Sequence, residues 1–249
     1  MTGLVRAEWA KLFTTRVWIG LLLGVTALSV LSAVITTAFA GDPTVGVPPV
    51  GTPLYEQLAL GSPSQAVVLM LVLGIIGTTQ EYRHRTATPT FLTTPRRGRV
   101  IAAKLLAYAL AAVPFAVAVT VVTDAVVAGY AGARGAVPEL TGDNLRVVVT
   151  TALALVVYTV IGVGVGALVR NQVGAIVGGL VYVFVVEGLV RTFLGAVYTW
   201  LPGGALEALT VTFQGPDLLE RWQGGLLLLG YGLGAALLGT LFAVRRDVS

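Results

Sequence analysis

Cysteine is absent from the 249 residues of this chain, and histidine occurs once, as His84. Without thiols the chain can hold no disulfide framework, no thiolate metal site and no cysteine nucleophile. One imidazole cannot build a histidine metal cluster, and the sequence gives no pattern that places His84 in a catalytic triad, so we interpret His84 as a solvated or headgroup-level residue. The sequence therefore predicts no catalytic residue and no bound metal in this chain.

A phosphate-binding loop is missing as well. The only lysines are Lys11 and Lys104, and neither follows a glycine as that motif requires. Gly162, Gly164 and Gly166 resemble a dinucleotide loop only faintly, because they lie inside an apolar run with no strand before them. We expect no nucleotide or other cofactor on this chain, so any ATP that it uses must be bound by another chain.

Charged residues are scarce: they make up 11% of the chain, whereas hydrophobic residues make up 56%. An ordinary soluble domain is roughly 25% charged. The net charge of +4 is compatible with nucleic-acid binding, but the basic residues are scattered among apolar stretches instead of lining one soluble face. The composition predicts an all-α, polytopic protein that contacts the lipid bilayer and has no nucleic-acid partner.

Six apolar intervals are long enough to cross a bilayer, which takes about 20 residues of helix. Glycine and proline break the segment at 61–63, just before the second span. The region 191–222 is interrupted by Pro202, Gly203 and Gly204, so we interpret it as an outer loop with a re-entrant segment. We predict a single transmembrane domain over 1–249, with spans at 17–40, 64–80, 103–124, 146–169, 172–190 and 223–244.

The distribution of arginine and lysine predicts the orientation, because these residues favour cytoplasmic loops. With the N-terminus inside, only four of the 16 basic residues fall outside: Arg134, Arg146, Arg191 and Arg221. Both termini and the segment 80–99 are therefore predicted to be cytoplasmic. The other twelve are Arg6, Lys11, Arg16, Arg83, Arg85, Arg96, Arg97, Arg99, Lys104, Arg170, Arg245 and Arg246.

The N-terminal segment 1–16 has an amphipathic pattern. Its apolar residues share one helical face and its charged residues the opposite one, which is typical of a helix lying in the inner interface. The alternative is a flexible basic tail that serves only as a topology signal. The apolar face comprises Val5, Trp9, Leu12 and Phe13, and the charged face comprises Arg6, Glu8 and Lys11.

Glycines recur four residues apart in several apolar segments. Small residues at this spacing let helix backbones approach closely in lipid, so we expect a tightly packed bundle and a capacity to form oligomers. The pairs are Gly20 with Gly24, Gly162 with Gly166, Gly174 with Gly178, and Gly230 with Gly234.

The basic segment 80–99 between the second and third spans carries the most specific pattern. Thr88 before Pro89 suits a helix start, and Pro95 cannot continue a helix. A helix of one or two turns between these prolines would present Phe91 and Leu92 as apolar knobs, which suits docking into a groove on a partner. The alternative is a simple basic loop that pairs with lipid phosphates. Arg96, Arg97 and Arg99 lie behind the knobs.

Four features together resemble the type-two permeases of ATP-binding-cassette transporters, in particular small six-span subunits that work with a separate ATPase. They are the amphipathic start ValArgAlaGluTrpAlaLysLeuPhe, the GluTyrArg followed by ThrPheLeuThrThrProArgArgGlyArg, the passage IleGlyValGlyValGlyAlaLeuValArgAsnGln, and a long final outer loop. The resemblance covers essentially the whole chain.

The resemblance implies that 81–99 contains a coupling helix seated on the ATPase. Glu81, Tyr82 and Arg83 would form the hinge at the end of the second span, and Phe91 and Leu92 would enter the ATPase groove. The N-terminal helix would match the family's connecting helix. Thr88, Arg96 and Arg97 complete the expected coupling residues, and the short turn at Arg170 and Asn171 is a second expected cytoplasmic contact.

The resemblance also implies partners and a location. We expect an ATPase that binds ATP and Mg, and a second permease copy in a homodimer or heterodimer. The location would be the cytoplasmic membrane of a prokaryote. Glu187, within the fifth span, is a candidate pathway or boundary residue because ionisable groups in spans are often functional.

The sequence thus predicts a permease subunit of an exporter that moves an apolar or amphipathic substrate by alternating access. Drug, lipid, peptide and polysaccharide precursors are all compatible cargoes. The alternative is a noncatalytic membrane scaffold or immunity protein that binds a peptide or regulator without transport. An intramembrane enzyme is disfavoured, since such enzymes need paired ionisable groups inside the bilayer.

Overall fold

Helices account for all the regular secondary structure in residues 2–83, 97–210 and 218–245, which are the residues that the computed structural model describes. Six helices or helix combinations are long and apolar enough to cross a membrane, so the predicted all-α, six-span class is confirmed at that level. The helices are α1 (Thr2–Thr14), α2 (Val17–Ala38), α3 (Pro53–Leu60), α4 (Val67–Arg83), α5 (Arg97–Ala133), α6 (Gly142–Val169), α7 (Gln172–Val181), α8 (Glu187–Phe193), α9 (Gly195–Tyr198), α10 (Pro202–Thr210) and α11 (Arg221–Arg245).

The second span is composite, since the break expected at 61–63 is only a change of helix type. Thr52 caps α3 by accepting a hydrogen bond from the Tyr55 N–H, and a 3₁₀ turn over Ser62–Ala66 then leads directly into α4. Pro63 is tolerated in the first turn of this 3₁₀ helix, where no helical N–H bond is required. The apolar segment therefore runs through Pro53–Arg83, well before the predicted start at residue 64.

The third span also exceeds its predicted range of 103–124, because α5 continues through Asp124 to Ala133. Asp124 is buried, and its Oδ1 has no hydrogen-bond partner in the part of the chain that the structure describes. The first charge after an apolar run therefore does not mark the end of this helix. Arg97 and Arg99, which we placed in the coupling segment, already belong to the first turn of α5.

Helix α6 is the centre of the bundle and packs against α4, α5 and α11. Glycine makes the closest of these contacts possible: a Cβ on Gly74 would collide with the backbone oxygen of Thr159, and one on Gly162 with that of Leu71. Thr78 adds a hydrogen bond across the same pair of helices, from its Oγ1 to the Val163 carbonyl at 3.2 Å. The backbones of α4 and α6 are thus in direct contact.

Only one of the four glycine pairs noted in the sequence lies at such a crossing. Gly162 and Gly166 both face α4. For Gly20, Gly178, Gly230 and Gly234, no atom of the described residues lies within 4 Å of the place where a Cβ would stand. In the most apolar 18 residues of each span, 67% are buried for α6 but only 11% for the span formed by α7 and α8. The span formed by α7 and α8 therefore keeps an apolar surface that no described residue covers.

Two short polar connections close the bundle at opposite ends. The guanidinium of Arg134 donates to the carbonyl oxygens of Thr37, Ala38 and Ala40 at the end of α2. At the other end, Arg170 adopts a left-handed conformation with φ 58° and ends α6, and Asn171 caps α7 by accepting from the Gly174 N–H at 3.0 Å. The turn between the fourth and fifth spans thus consists of two residues.

Candidate functional site

The structure divides the predicted coupling segment into described ends and an undescribed centre. Glu81, Tyr82 and Arg83 form the last turn of α4, and Arg97 begins α5. The remaining predicted coupling residues, Thr88, Phe91, Leu92 and Arg96, lie outside the described residues. The described part of the site consists of the end of α4 and the start of α5, which flank 84–96.

Four charged side chains from three helices meet at these ends and form what we call the ionic cluster: Glu8 and Lys11 of α1, Glu81 of α4 and Lys104 of α5. Lys104 Nζ lies 2.5 Å from Glu8 Oε2 and 3.2 Å from Glu81 Oε1. Lys11 Nζ lies 2.6 Å from Glu8 Oε1 and 2.5 Å from Glu81 Oε1. Each lysine thus contacts both carboxylates.

Burial makes the ionic cluster energetically important. Glu8, Glu81 and Lys104 are only 4%, 5% and 3% exposed, whereas the Lys11 side chain is 39% exposed. Two positive and two negative charges balance, which is the condition under which charges can be buried at all. Burial acts to lower the pKa of Lys11, but its hydrogen bonds and charge interactions with Glu8 and Glu81 outweigh this, so that pKa is raised above its ordinary value. Lys11 therefore stays protonated at neutral pH.

Apolar packing holds α1 in the position that this cluster requires. Leu12 is buried, and Val5 and Trp9 are partly buried against the core. Phe13 contacts the aromatic residue Trp18 at the start of α2, with 5.2 Å between the centroids of the two rings. The four apolar residues predicted to share one face of α1 therefore all contact the bundle or its aromatic edge.

Glu8 corrects the predicted helical faces of α1. We placed it with Arg6 and Lys11 on the charged face, opposite the apolar one, but it is buried and paired with Lys104, 96 residues away in sequence. A carboxylate that has a lysine partner inside the bundle can be buried, because the pair replaces the water that each charge gives up. From the sequence, Lys104 was predicted only to be one of the basic residues on the inner side. The signal that could have identified it is its position within an otherwise apolar run, where an unpaired charge is costly.

The α4–α5 contact directly behind the cluster is close. Tyr108 is 1% exposed and packs against Gly77, where a Cβ would collide with the tyrosine ring. Lys104 Nζ also lies 3.5 Å from the Gly77 carbonyl oxygen. The two helix ends that carry 84–96 are thus fixed to each other by packing and to α1 by charge.

The ion pairs of the cluster connect the end of α4 and the start of α5 to α1. Glu81 lies three residues before 84–96, and Lys104 lies seven residues after Arg97. Any displacement of one helix end relative to α1 or the other end must stretch a buried ion pair. Across residues 2–83, 97–210 and 218–245, no group of three or more His, Asp or Glu side chains could hold a metal ion.

Glu187 occupies a second buried site, at the far end of the bundle. It is 5% exposed, and its Oε1 accepts a hydrogen bond from the Gly203 N–H at 2.9 Å. The Tyr182 hydroxyl is a further hydrogen-bond partner. Gly203 belongs to the first turn of α10, whose N–H groups lack helical partners. Glu187 therefore anchors the 194–210 segment to the fifth span, and its role in a pathway stays a prediction.

A surface cluster supports the same segment. Arg191 lies 3.2 Å from Glu207 Oε1 and 5.4 Å from the centre of the Tyr198 ring, and the Tyr198 hydroxyl donates to Glu207 Oε2 at 3.2 Å. Burial and the neighbouring charge of Glu207 raise the pKa of Tyr198 to about 12. Tyr198 thus remains a hydrogen-bond donor over the whole physiological pH range.

Replacing Glu187 should release this segment. In Glu187→Leu the Gly203 N–H loses its acceptor, which costs about 1–1.5 kcal/mol. This raises the open population of the segment, and with it the rate of proteolytic cleavage, about tenfold. Tryptic cleavage after Arg191 in detergent-solubilised protein would measure the rate. Glu187→Gln keeps an oxygen in place and should cleave close to the wild-type rate, as should Glu139→Leu at an exposed carboxylate. Equal rates for Glu187→Leu and Glu139→Leu would contradict the anchoring role.

Comparison with models of known protein families and with curated proteins gave no match for this chain.

Proposed function

We propose that this chain is the membrane-spanning permease subunit of an ATP-binding-cassette exporter, whose ATPase is a separate chain. Six helices suited to crossing a membrane support a transport role, and the sequence has no phosphate-binding loop of its own. ATP and Mg would be bound by the partner ATPase, and the cargo would be apolar or amphipathic. The termini and 84–96 would face the cytoplasm.

The ionic cluster is the observation that carries this proposal. A loop that serves only topology has no need of a buried, charge-balanced link between both of its ends and a separate helix. A segment that receives a push from a partner does need one, because the force must pass to several helices together. In the proposed cycle the ATPase displaces 84–96, and α1, α4 and α5 move as one body through Glu8, Glu81 and Lys104.

A second permease copy is proposed to complete the pathway. The span formed by α7 and α8 supports it, since most of its apolar surface is left uncovered by the described chain. Large exposed residues on it include Val173, Phe184 and Phe193, which are 71%, 65% and 76% exposed. Lipid or a second copy would cover this surface, and the two copies would enclose the transport route between them.

Replacing Phe91 and Leu92 together by aspartate tests the coupling role. We expect the double variant to lose at least 90% of ATPase co-purification, or to keep the ATPase while losing ATP-stimulated export. The reason is that desolvating each carboxylate in an apolar groove costs on the order of several kcal/mol. An ATP-binding-cassette ATPase, if its gene adjoins the gene for this chain, would be the partner for the assay. Membrane abundance of the variant should equal that of the wild type.

Val137→Asp with Leu140→Asp is the matched control, because both residues are exposed and lie in the 134–141 connection at the opposite end of the bundle. It should leave ATPase binding unchanged. Normal export by the Phe91 and Leu92 variant at wild-type abundance would contradict the proposal. Binding of a peptide or regulator without any ATPase partner would instead favour the scaffold alternative.

A further inference from the structure

A groove of about 700 Å³ opens between the starts of α6 and α11, at the end of the bundle opposite the ionic cluster. Further along, these two helices are in backbone contact, because a Cβ on Gly164 would come within 2.7 Å of the Gly232 carbonyl oxygen. Val157 of α6 and Leu209 of α10 form the floor of the groove and are only 2% and 5% exposed. The groove is therefore a surface feature with a closed, apolar bottom.

Two arginines line the outer end of this groove. Arg146 is the fifth residue of α6 and Arg221 is the first residue of α11. They are two of the four basic residues predicted to lie on the outer side, where arginine and lysine are disfavoured. The other two have contacts that account for them, since Arg134 donates to carbonyl oxygens at the end of α2 and Arg191 pairs with Glu207. The convergence of Arg146 and Arg221 on one groove indicates a site for an anion.

The nearby acidic residues leave this site open to an anion. Asp143 pairs with Arg146 at 2.6 Å and Glu220 accepts from Trp222 Nε1 at 2.5 Å, but no acidic side chain among the described residues lines the groove. An exposed ion pair contributes only about 0–1 kcal/mol. A guanidinium has five N–H donors, so Arg146 can bind a phosphate beside its carboxylate. Arg221 also has a contact of its own and keeps the same capacity.

The residues at the outer end are suited to a lipid phosphate in particular. The planar guanidinium matches the oxygens of a phosphate and can bind two of them at once. Trp222 lines the same end of the groove and is 61% exposed. Tryptophan is enriched at the level of lipid head groups, because its ring is apolar while its N–H is polar. The outer end is thus matched to a phosphate at the membrane surface.

Beyond the arginines the groove becomes apolar. Leu153, Leu226 and Leu229 form its sides and are 45%, 60% and 39% exposed. Val157 lies 11 residues after Arg146, which is about 16 Å along α6 and about half of the ~30 Å hydrocarbon core. The groove therefore extends from the head-group level through about one leaflet, which is the depth that one acyl chain occupies.

We propose that this groove binds an anionic phospholipid, with its phosphate held by Arg146 and Arg221 and one acyl chain lying along Leu153, Leu226 and Leu229. The bound lipid would connect the starts of α6 and α11. This site goes beyond the proposed exporter function and does not depend on it, because every residue of the groove belongs to this chain.

Photolabelling of the purified chain in phosphatidylcholine nanodiscs, without any ATPase, tests the proposal. The probe is a phosphatidylglycerol with a diazirine in one acyl chain, and the reference is a phosphatidylcholine with the same chain. Peptic peptides that carry the label are identified by mass spectrometry. We expect phosphatidylglycerol to label 150–157 and 222–229 at least about fivefold more than phosphatidylcholine, because a basic residue favours an anionic lipid by about 1 kcal/mol.

Variants of the charged residues test the head-group end. Arg146→Gln and Arg221→Gln should each lower phosphatidylglycerol labelling about fivefold for the same reason. Asp143→Asn removes the carboxylate that competes for Arg146 and should raise the labelling. Arg191→Gln is the matched control, because it removes one positive charge at the same end of the bundle but outside the groove; it should leave the labelling unchanged.

A filled groove tests the acyl-chain end independently of charge. A Cβ on Gly225 would stand 3.5 Å from Leu209 Cδ1, in ordinary contact, so Gly225→Leu should occupy the groove and reduce labelling to the level of the reference lipid. Gly234→Leu on the same helix is the control, because its added Cβ would have no neighbour within 4 Å among the described residues. Thermal unfolding of every variant confirms that it folds, and Gly225→Leu keeps the test decisive should an arginine variant fold poorly.

A second copy of the chain is the competing occupant of the groove. Because the chain has no cysteine, Leu226→Cys introduces a single thiol at this surface, and we expect it to remain monomeric under oxidation. A disulfide-linked dimer formed by Leu226→Cys but not by Leu237→Cys, at an exposed site on the same helix, would assign the groove to a second copy and overturn the proposal.

The labelling itself can also overturn the proposal. Equal labelling of 150–157 and 222–229 by the two lipids would do so, as would undiminished labelling of both Arg146→Gln and Arg221→Gln. Selective labelling combined with failure of the Phe91 and Leu92 test would leave the phospholipid site in place and remove the exporter.

Discussion

Lys104→Met should destabilise the folded chain by about 3–5 kcal/mol, the usual cost of removing one partner from a buried ion pair. Lys104 is 3% exposed and contacts both Glu8 and Glu81. Its loss leaves two buried carboxylates with only the half-exposed Lys11 to neutralise them. Unfolding in mixed micelles with increasing SDS would measure the change in free energy.

A charge-balanced double variant separates the burial of charge from the loss of packing. Glu8→Gln combined with Lys104→Met restores neutrality with the Lys11–Glu81 pair intact, so it should recover most of the lost stability. Asp143→Asn with Arg146→Met removes an exposed pair, whose side chains are 51% and 56% exposed, and should cost less than about 1 kcal/mol. A Lys104→Met effect as small as this control would mean that the cluster stabilises nothing.

Gly74→Ala should be nearly as damaging, at about 3 kcal/mol, the upper part of the range for overpacked cores. The added methyl would overlap the Thr159 backbone oxygen, which cannot rotate away as a side chain can. The helices α4 and α6 would have to separate, and the Thr78 Oγ1 bond to the Val163 carbonyl would be lost with the contact. The same SDS titration measures the effect.

Gly178→Ala is the matched control, because no atom in the described part of the chain lies within 4 Å of its added methyl. Alanine is favoured over glycine inside a helix by roughly 0.5–1 kcal/mol, so this variant should be as stable as the wild type or slightly more so. Opposite signs for the two glycines would establish that the close α4–α6 approach, and not glycine content, holds the bundle. A neutral Gly74→Ala would show that this approach is dispensable.

The six-span class could be predicted because each span is a run of consecutive apolar residues that is long enough to cross a bilayer. The helix limits were harder to predict. Asp124 was taken as the end of a span, although α5 buries it and continues to Ala133. Pro63 was taken as a break, although it fits the 3₁₀ turn that joins α3 to α4. Both errors arise because burial and helix type depend on neighbours that are distant in sequence.

The geometry of the ionic cluster could not be predicted from the sequence. Glu81 belongs both to the predicted coupling residues and to this cluster, and its coupling role stays a prediction. Its partners could not be read from spacing, since Lys11 is 70 residues away. The glycine spacing likewise could not distinguish Gly162, which contacts α4, from Gly178, whose added Cβ would have no neighbour within 4 Å among the residues that the structure describes.

The central position of α6 sets an order for assembly during synthesis. It is the fourth span to be made, yet it supplies the surface against which α4 and α5 pack. When α5 has just left the ribosome, the glycine face of α4 around Gly74 is still without its partner, and the first three spans are an incomplete bundle. We therefore expect a chain arrested at Ala133 to be degraded faster than one that extends through α6.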